Sequence, residues 1–324
     1  MTGPTSDAIH LSVMLNEVLE QLAPAANETY LDGTFGAGGY SRAILDAADC
    51  NLFAIDRDEE AKDRAQPLYD AYPNRFKLLS GCFGNMEALL ADVGVEALDG
   101  IVLDIGVSSP QIDDATRGFS FRDDGPLDMR MGNSGPTAAD IVNEYSQEEL
   151  ARIIYQYGEE RHSRKIASAI VMDREETPFT TTLQLASLLR RIVPKSKDKL
   201  DQATRTFQAL RIQVNDELGE LERALIAAEK LLKPGGRLVV VSFHSLEDRR
   251  VKQFMNTRAG KGGGGNRHAP IQIIDANKPS FTLATRSAMK PSKRECGDNP
   301  RARSAKLRAA IRTDAPIWGG REAA

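Results

Sequence analysis

The sequence predicts an α/β protein in which a mostly parallel sheet is covered by helices on both faces and interrupted by an all-helical insertion. Two observations support this: short apolar segments alternate with amphipathic ones up to residue 105, and the alternation stops and then resumes near residue 217. Strands alternating with helices at this spacing form parallel sheets. The predicted core is therefore discontinuous, with residues 1–112 and 213–324 forming it and residues 113–212 forming a helical, substrate-binding subdomain.

The elements of the core follow from periodicity and turn signals. A first amphipathic helix is predicted over 12–22, with a serine at its N-cap. Strands are predicted at 29–31, 51–55, 76–79, 100–105 and 238–243. Helices are predicted after residue 39, from about residue 58, at 85–91 and at 217–232. The last strand, 305–311, is predicted at an edge of the sheet, and the glycines of 260–265 predict a mobile loop.

The insertion shows helical signals and no convincing strand. Capping boxes predict helix starts at Ser146 with Glu149 and at Thr181 with Gln184, giving helices over 146–157 and 181–192.

Length and composition exclude several classes of protein. With 324 residues, 41% hydrophobic and 27% charged, the chain resembles neither a disordered nor a collagen-like sequence. Its apolar segments are too short to span a bilayer, and residues 1–10 lack the pattern of a secretory signal, so we expect a cytoplasmic protein with no membrane partner. The three cysteines are far apart, without the spacing of a zinc site.

Charge is distributed unevenly along the chain. Residues 249–312 carry 16 Lys or Arg against three acids, a net of +13, whereas residues 1–248 carry 25 basic and 41 acidic groups, a net of −16. The basic part either neutralises the acidic part within one fold or forms a surface that binds phosphates.

A glycine-rich loop, DGTFGAGG at residues 32–39, follows the first strand and precedes a helix. Glycines allow a sharp turn and close approach of a ligand to the helix N-terminus, and Asp56 at the end of the second strand suits the hydroxyls of a ribose. The dinucleotide fingerprint is incomplete because Ser41 replaces its third glycine, and Asp32 suits a cationic ligand better than a pyrophosphate. S-adenosyl-L-methionine is therefore favoured over NAD.

A second loop, DIGVSSPQ at residues 104–111, follows the fourth strand and should face the same crevice. It is similar to the motif of amino-methyltransferases, with Gln111 in place of an aromatic residue. An exocyclic amine on a base becomes nucleophilic as it pyramidalises, and acceptors aimed at its N–H groups stabilise the developing charge. Asp104, Ser108, Ser109 and Pro110 are the catalytic candidates, although an ordinary turn after a strand remains the alternative.

Eight sequence motifs, which follow one another along the chain, together carry a resemblance to a known family. They cover residues 32–39, 104–111, 117–121, 125–131, 158–161, 203–211, 242–249 and 299–304. Together they resemble the bacterial family of 16S ribosomal RNA cytosine-N4-methyltransferases called RsmH or MraW. The resemblance implies a class I, Rossmann-like S-adenosylmethionine-dependent fold with an inserted all-helical subdomain, and transfer of a methyl group to N4 of a specific cytidine in the decoding centre.

The resemblance also implies partners and contacts. The partner is 16S rRNA in the small ribosomal subunit or a late assembly intermediate, and the protein is a monomer or a homodimer. The family's cofactor contacts correspond to Gly38, Gly39, Tyr40, Asp56, Phe83, Asp104 and Gln111. Gly36 of the same loop is a further cofactor-binding candidate. Tyr40 replaces a histidine of many relatives, so its ring need not contact the cofactor. The segment 256–280 is shorter and richer in glycine than the family leads us to expect, so RNA contacts are not transferred to it.

Several residues have structural alternatives to a functional role. His244 either caps a helix or takes part in catalysis, while Asp128 and Arg130 form either an ion pair or a substrate contact. Phe119 and Phe121 are either packed inside the insertion or stack on a flipped base. We predict no metal site. The competing functions are a DNA amino-methyltransferase, a non-catalytic RNA-binding assembly factor and an NAD-dependent enzyme.

Overall fold

The computed structural model describes residues 12–195, 200–261 and 278–318. Its strands are β1 (Thr29–Asp32), β2 (Asn51–Asp56), β3 (Phe76–Ser80), β4 (Leu98–Asp104), β5 (Leu232–Ser242), β6 (Phe281–Leu283) and β7 (Lys306–Arg312). Its helices are α1 (Leu15–Leu22), α2 (Gly39–Ala47), α3 (Ala61–Ala71), α4 (Met86–Ala91), α5 (Ser109–Asp113), α6 (Ala138–Glu144), α7 (Gln147–Gly158), α8 (Ser163–Glu176), α9 (Thr182–Ile192), α10 (Thr204–Asn215), α11 (Glu217–Leu231), α12 (Ser245–Arg258) and α13 (Lys293–Asp298). The loop 260–265, which the sequence predicts to be mobile, lies largely outside the described residues.

The chain forms two compact units, one of residues 1–106 and 219–324 and one of residues 107–218. The first unit contains a seven-stranded sheet in the order β3-β2-β1-β4-β5-β7-β6. Strands β1 to β5 pair in parallel, and β7 runs antiparallel to β5 and to β6. The predicted α/β class with a mostly parallel sheet is therefore confirmed.

Both faces of the sheet are covered because alternate residues of the inner strands point to opposite sides. Tyr30 and Val102 pack on one side with α1, α2 and α3, whereas Leu31 and Ile101 pack on the other with α4, α11 and α12. A strand buried on both faces consists of consecutive apolar residues, which explains the short apolar runs of the sequence. Each fully buried aliphatic side chain contributes about 1.5–3 kcal/mol.

Two details of the core differ from the prediction. Strand β7 pairs on both sides, so it is not the edge strand; the edge belongs to β6, whose three residues are too few to stand out in the sequence. Helix α1 begins at Leu15, after Met14 in a left-handed conformation, and Ser12 does not cap it. The Met14 backbone N–H instead donates to Glu295 Oε1 at 2.6 Å, a contact across 281 positions that no local pattern indicates.

The second unit, taken by itself, consists of helices around its own apolar core. Helices α6 to α10 contribute this core, which includes Ile141, Ile153, Ile170 and Leu210. The predicted capping boxes are present, with Ser146 and Thr181 accepting hydrogen bonds from the backbone of Glu149 and Gln184. Within the described part of the chain, no helix combines the length and the apolar character needed to cross a bilayer.

Candidate active site

Three neighbouring strands of the sheet each end in an aspartate. Asp32 ends β1, Asp56 ends β2 and Asp104 ends β4, and β1 lies between the other two in the sheet. The carboxyl ends of parallel strands meet at one edge of a sheet, where ligands of such folds bind. The chain therefore presents three carboxylates at the edge predicted to form the crevice.

The glycine-rich loop joins this edge to α2. Gly33 N–H donates to Val102 O at 2.9 Å, which keeps the loop against β4. Gly38 forms the N-cap of α2 at a φ of 79°, and a Cβ there would lie 2.8 Å from the Phe35 ring. A Cβ at Gly39 would lie 1.9 Å from Ser12 Oγ. The positive φ and the Phe35 ring require glycine at position 38, and a side chain at position 39 would displace the Ser12 hydroxyl. The loop can therefore bring its backbone close to a ligand.

Asp56 supports the loop as well as ending β2. Its Oδ2 accepts a hydrogen bond from Gly36 N–H at 2.8 Å, and its Oδ1 accepts one from Asp58 N–H at 2.9 Å. Burial raises the pKa of Asp56, and these backbone hydrogen bonds partly offset the rise. Each carboxylate oxygen has two acceptor positions, so Asp56 retains capacity for the hydroxyls of a ribose.

Asp104 has a buried carboxylate oxygen, Oδ1, without a hydrogen-bond partner in the described structure. Its backbone N–H donates to Thr34 Oγ1 at 2.6 Å, which joins the end of β4 to the glycine-rich loop. Burial raises the pKa of Asp104 well above its usual range, and the carboxylates of Asp32 and Glu247 raise it further. The ionised form of a buried carboxyl is costly unless a cation pairs with it. The ammonium and sulfonium groups of S-adenosylmethionine fit this requirement.

Asp32 is fully buried and is held by the loop rather than exposed to a ligand. Its Oδ2 accepts from the Ser41 hydroxyl at 2.7 Å and its Oδ1 from Thr34 N–H at 3.1 Å. Burial raises the pKa of Asp32 to about 6. Asp32 therefore adds negative potential behind the loop, and Ser41, which breaks the dinucleotide fingerprint, is its partner.

The Tyr40 side chain is buried in the core of the first unit. Its hydroxyl donates a hydrogen bond to the Val13 backbone carbonyl. Its hydroxyl therefore helps to position Val13. A contact with the cofactor through the Tyr40 backbone stays a prediction.

Phe83 begins a short 3-10 turn over Phe83–Asn85, after the end of β3. The turn is fixed by Glu220, whose Oε2 accepts a hydrogen bond from Gly84 N–H at 2.8 Å. No sequence pattern points to Glu220, because the two residues lie 136 positions apart. Phe83 packs against the core beside Gly33, where a Cβ on the glycine would lie 3.6 Å from Phe83 Cβ.

The Ser-Ser-Pro-Gln segment belongs to the second unit and opens α5. Ser108 is the N-cap, Pro110 lies in the first turn, and Gln111 Oε1 accepts a hydrogen bond from Ser108 N–H at 3.1 Å. Gln111 is buried. The side chain at the expected aromatic position therefore stabilises the turn, and Ser109 lies in the first turn of the helix.

Polar residues of the insertion are used in its own structure. Arg130 donates two hydrogen bonds to Asp128, at 2.8 and 2.7 Å, and Arg211 donates two to Glu217, at 2.7 and 2.8 Å. Such bidentate pairs fix geometry as well as charge. The ion-pair interpretation of Asp128 and Arg130 therefore holds in this structure.

Aromatic residues of the insertion pack within it. Phe121 forms an edge-to-face contact with Phe207, with ring centroids 4.7 Å apart, and Phe119 packs against the same core. Packing therefore accounts for both rings.

His244 is the N-cap of α12. Its Nε2 lies 2.9 Å from Glu247 Oε1, and its backbone N–H donates to Glu247 Oε2 at 3.1 Å. The capping interpretation of His244 is the one that the structure supports.

Comparison with known proteins identifies the family of this chain. The family model described as the MraW methylase family matches residues 7–313. A relative from Rhodospirillum rubrum, named ribosomal RNA small subunit methyltransferase H, is 58% identical over 95% of this chain and 96% of its own. A relative of the same name from Rhodospirillum centenum is 58% identical over 97% of this chain and 97% of its own. Another, from Paramagnetospirillum magneticum, is 57% identical over 95% of this chain and 97% of its own. The chain therefore belongs to the MraW methylase family and is a methyltransferase that uses S-adenosyl-L-methionine.

Proposed function

We propose that this methyltransferase methylates the exocyclic N4 amine of a cytidine in the decoding centre of 16S rRNA. Relatives at 58% identity that carry the name of a small-subunit ribosomal RNA methyltransferase support the RNA substrate. The observation that carries the chemistry is the buried carboxylate oxygen of Asp104, which has no hydrogen-bond partner among the described residues and lies at the start of the segment that leads to Ser108. An NAD-dependent reaction is excluded by the family, and methylation of DNA remains the outcome that the experiment must rule out.

We assign cofactor binding chiefly to the strand ends and loops of the first unit. Gly36, Gly38 and Gly39 bring their backbone to the ligand, Asp56 accepts the ribose hydroxyls, and Phe83 offers an apolar contact. Asp104 pairs with positive charge on the cofactor. Gln111 and the backbone of Tyr40 complete the set by family resemblance, and residues 113–212 are expected to hold the nucleotide substrate.

The chemistry required of the chain is orientation of a weak nucleophile. When bound, S-adenosylmethionine supplies a methyl group made electrophilic by the adjacent positive sulfur. Asp104, Ser108 and Ser109 are the candidates for accepting hydrogen bonds from the two N–H groups of the amine, while Pro110 keeps the loop rigid. These acceptors stabilise the positive charge that develops on the amine as it pyramidalises, and the methylated amine returns to neutrality by releasing one N–H proton to water. No covalent bond to the enzyme is needed.

The setting of the reaction is also proposed. We expect the enzyme to act in the cytoplasm, on the small subunit or on a late assembly intermediate rather than on free RNA. Comparing methyl transfer to free 16S rRNA, assembly intermediates and complete subunits would distinguish these substrates. Light scattering at several protein concentrations would distinguish a monomer from a homodimer.

The test of the proposal is direct identification of the methylated nucleotide. Small subunits from cells lacking this activity are incubated with the protein and labelled S-adenosylmethionine, and the rRNA is digested for mass spectrometry. One cytidine should gain one methyl group on N4. Labelling confined to DNA, or to another RNA base, would refute the assignment. The Asp56→Ala variant should lose cofactor binding, whereas Asp92→Ala, which alters an exposed aspartate of the same unit, should retain it.

A further inference from the structure

The basic residues of the C-terminal part fall into two groups. The first group is used inside the first unit: Lys306 and Arg308 pair with Asp248 at 2.8 and 2.7 Å, and Arg258 pairs with the buried Glu229 at 2.7 Å. These cations neutralise acids of the unit. Internal neutralisation thus accounts for part of the charge asymmetry and not for all of it.

The second group lies on the surface within residues 290–303. Its members Lys290, Lys293, Arg294, Arg301 and Arg303 all have exposed side chains. The same residues contain two acids, Glu295 and Asp298, so the segment has a net charge of +3. Arg294 lies 3.8 Å from Asp298, but their side chains are 93% and 65% exposed, so water screens this pair. We call this set of five cations the 290–303 surface.

The backbone beneath the 290–303 surface is well fixed. Ser292 caps α13 by accepting a hydrogen bond from Glu295 N–H, and Asn299 caps the 3-10 turn Pro300–Ser304. Met289, next to Lys290, pairs with Leu307 of β7. Arg303 Nε donates to the Cys296 carbonyl at 3.2 Å, which connects the turn to α13. The charges are therefore presented on short capped turns attached to the sheet.

This surface is joined to the cofactor loop by three consecutive residues of the same unit. Glu295 Oε1 accepts the Met14 N–H at 2.6 Å, and the Val13 carbonyl accepts the Tyr40 hydroxyl. Ser12 Oγ packs directly on Gly39. The segment that carries the cations is thus connected, through residues 12–14, to Gly39 and Tyr40 at the start of α2 in the same unit.

We propose that the 290–303 surface binds the phosphate backbone of rRNA flanking the target cytidine. This inference rests on the proposed function and adds a docking surface to it. Arginine and lysine are the side chains that bind phosphate oxygens, and contacts of this kind position a nucleic acid without reading its sequence. Because this segment is connected to the start of α2 through residues 12–14, the same unit would hold both the RNA chain and the methyl donor.

The test uses the triple variant K290Q/K293Q/R294Q of the full-length protein. Binding to 16S rRNA from cells lacking the modification is measured as a function of KCl concentration. Removing three phosphate contacts should reduce the slope of log K against log salt by about 2. The KM for rRNA should rise about 10-fold or more, whereas kcat at saturating RNA and the affinity for S-adenosylmethionine should match the wild type.

The matched control is K62Q/K77Q/K252Q, which removes three exposed lysines elsewhere on the same unit. If both triple variants change the salt slope and the KM equally, the effect is one of net charge and the proposal is wrong. A loss of cofactor affinity in K290Q/K293Q/R294Q would also overturn it, because the segment would then act through the loop rather than on RNA. Failure of the wild type to methylate rRNA while still binding it would instead count against the proposed function.

Discussion

Replacing Asp32 by asparagine should change the stability of the cofactor-free protein in a way that depends on pH. The free energy of unfolding of the variant, relative to that of the wild type, should be higher at neutral pH than at pH 5. The Asp32 carboxyl is fully buried, and its pKa rises from an ordinary value of 3.8 to about 6 because burial disfavours the charged form. A carboxyl with a raised pKa binds its proton more tightly in the folded state. Its contribution to stability is therefore full below pH 4 and is lost as the pH rises through 6.

The magnitude follows from the two pKa values. At about 1.4 kcal/mol per pKa unit, ionised Asp32 costs the fold about 3 kcal/mol once the pH exceeds 7. Asparagine has nearly the same shape but cannot ionise. The difference in the free energy of unfolding between Asp32→Asn and the wild type should therefore shift by about 1–1.5 kcal/mol in favour of the variant between pH 5 and pH 7.5.

The measurement is urea unfolding of both proteins, without cofactor, at the two pH values. Comparing the pH dependence removes the constant cost of changing the hydrogen bonds from Ser41 and Thr34. Asp92→Asn, at an exposed position, serves as the control and should follow the wild type at both pH values. A stability difference that does not vary with pH, or that varies in the opposite direction, would refute the electrostatic reasoning.

Three further variants test the site. Asp104→Asn should bind S-adenosylmethionine at least about 10-fold more weakly, as judged by calorimetry. In the wild type the pKa of Asp104 is raised, so the carboxyl must release a proton before it pairs with the cation, and the affinity for the cofactor should increase with pH. In Asp104→Asn this increase should be absent. Tyr40→Phe removes the hydrogen bond to Val13 and should lower the stability by about 1 kcal/mol in thermal unfolding. Glu220→Gln weakens the acceptor of Gly84 N–H and should raise the Kd for the cofactor several-fold, with kcat at saturating cofactor unchanged; an unaltered Kd would show that the turn does not depend on this carboxylate.

Local patterns predict the part of the site that consists of strand ends and loops. Asp32, Asp56 and Asp104 each follow an apolar run, and the glycines of the first loop stand next to the first of them. A parallel sheet brings such ends together as a matter of geometry, so the order of strands and helices along the chain is enough to assign the three aspartates to one edge.

The supporting contacts are beyond local patterns, because they join distant parts of the chain. Glu220 reaches Gly84 and Glu295 reaches Met14 through tertiary packing, and no local pattern indicates either contact. Strand β6 escapes prediction for a related reason: its three residues have too little periodicity, and only pairing with β7 makes them a strand. The sequence consequently predicts β7 at the edge that β6 occupies.

The parallel pairing of β4 with β5 has a consequence for how the protein is made. Strand β4 ends at Asp104, and its neighbour begins only at Leu232, after the entire helical insertion. During translation one side of β4 therefore stays without its partner strand until the whole insertion and β5 have been synthesised. Closing so long a loop slows folding, and an unpaired strand edge invites association between nascent chains. Truncated chains that stop before β5 should therefore aggregate, while the complete polypeptide folds.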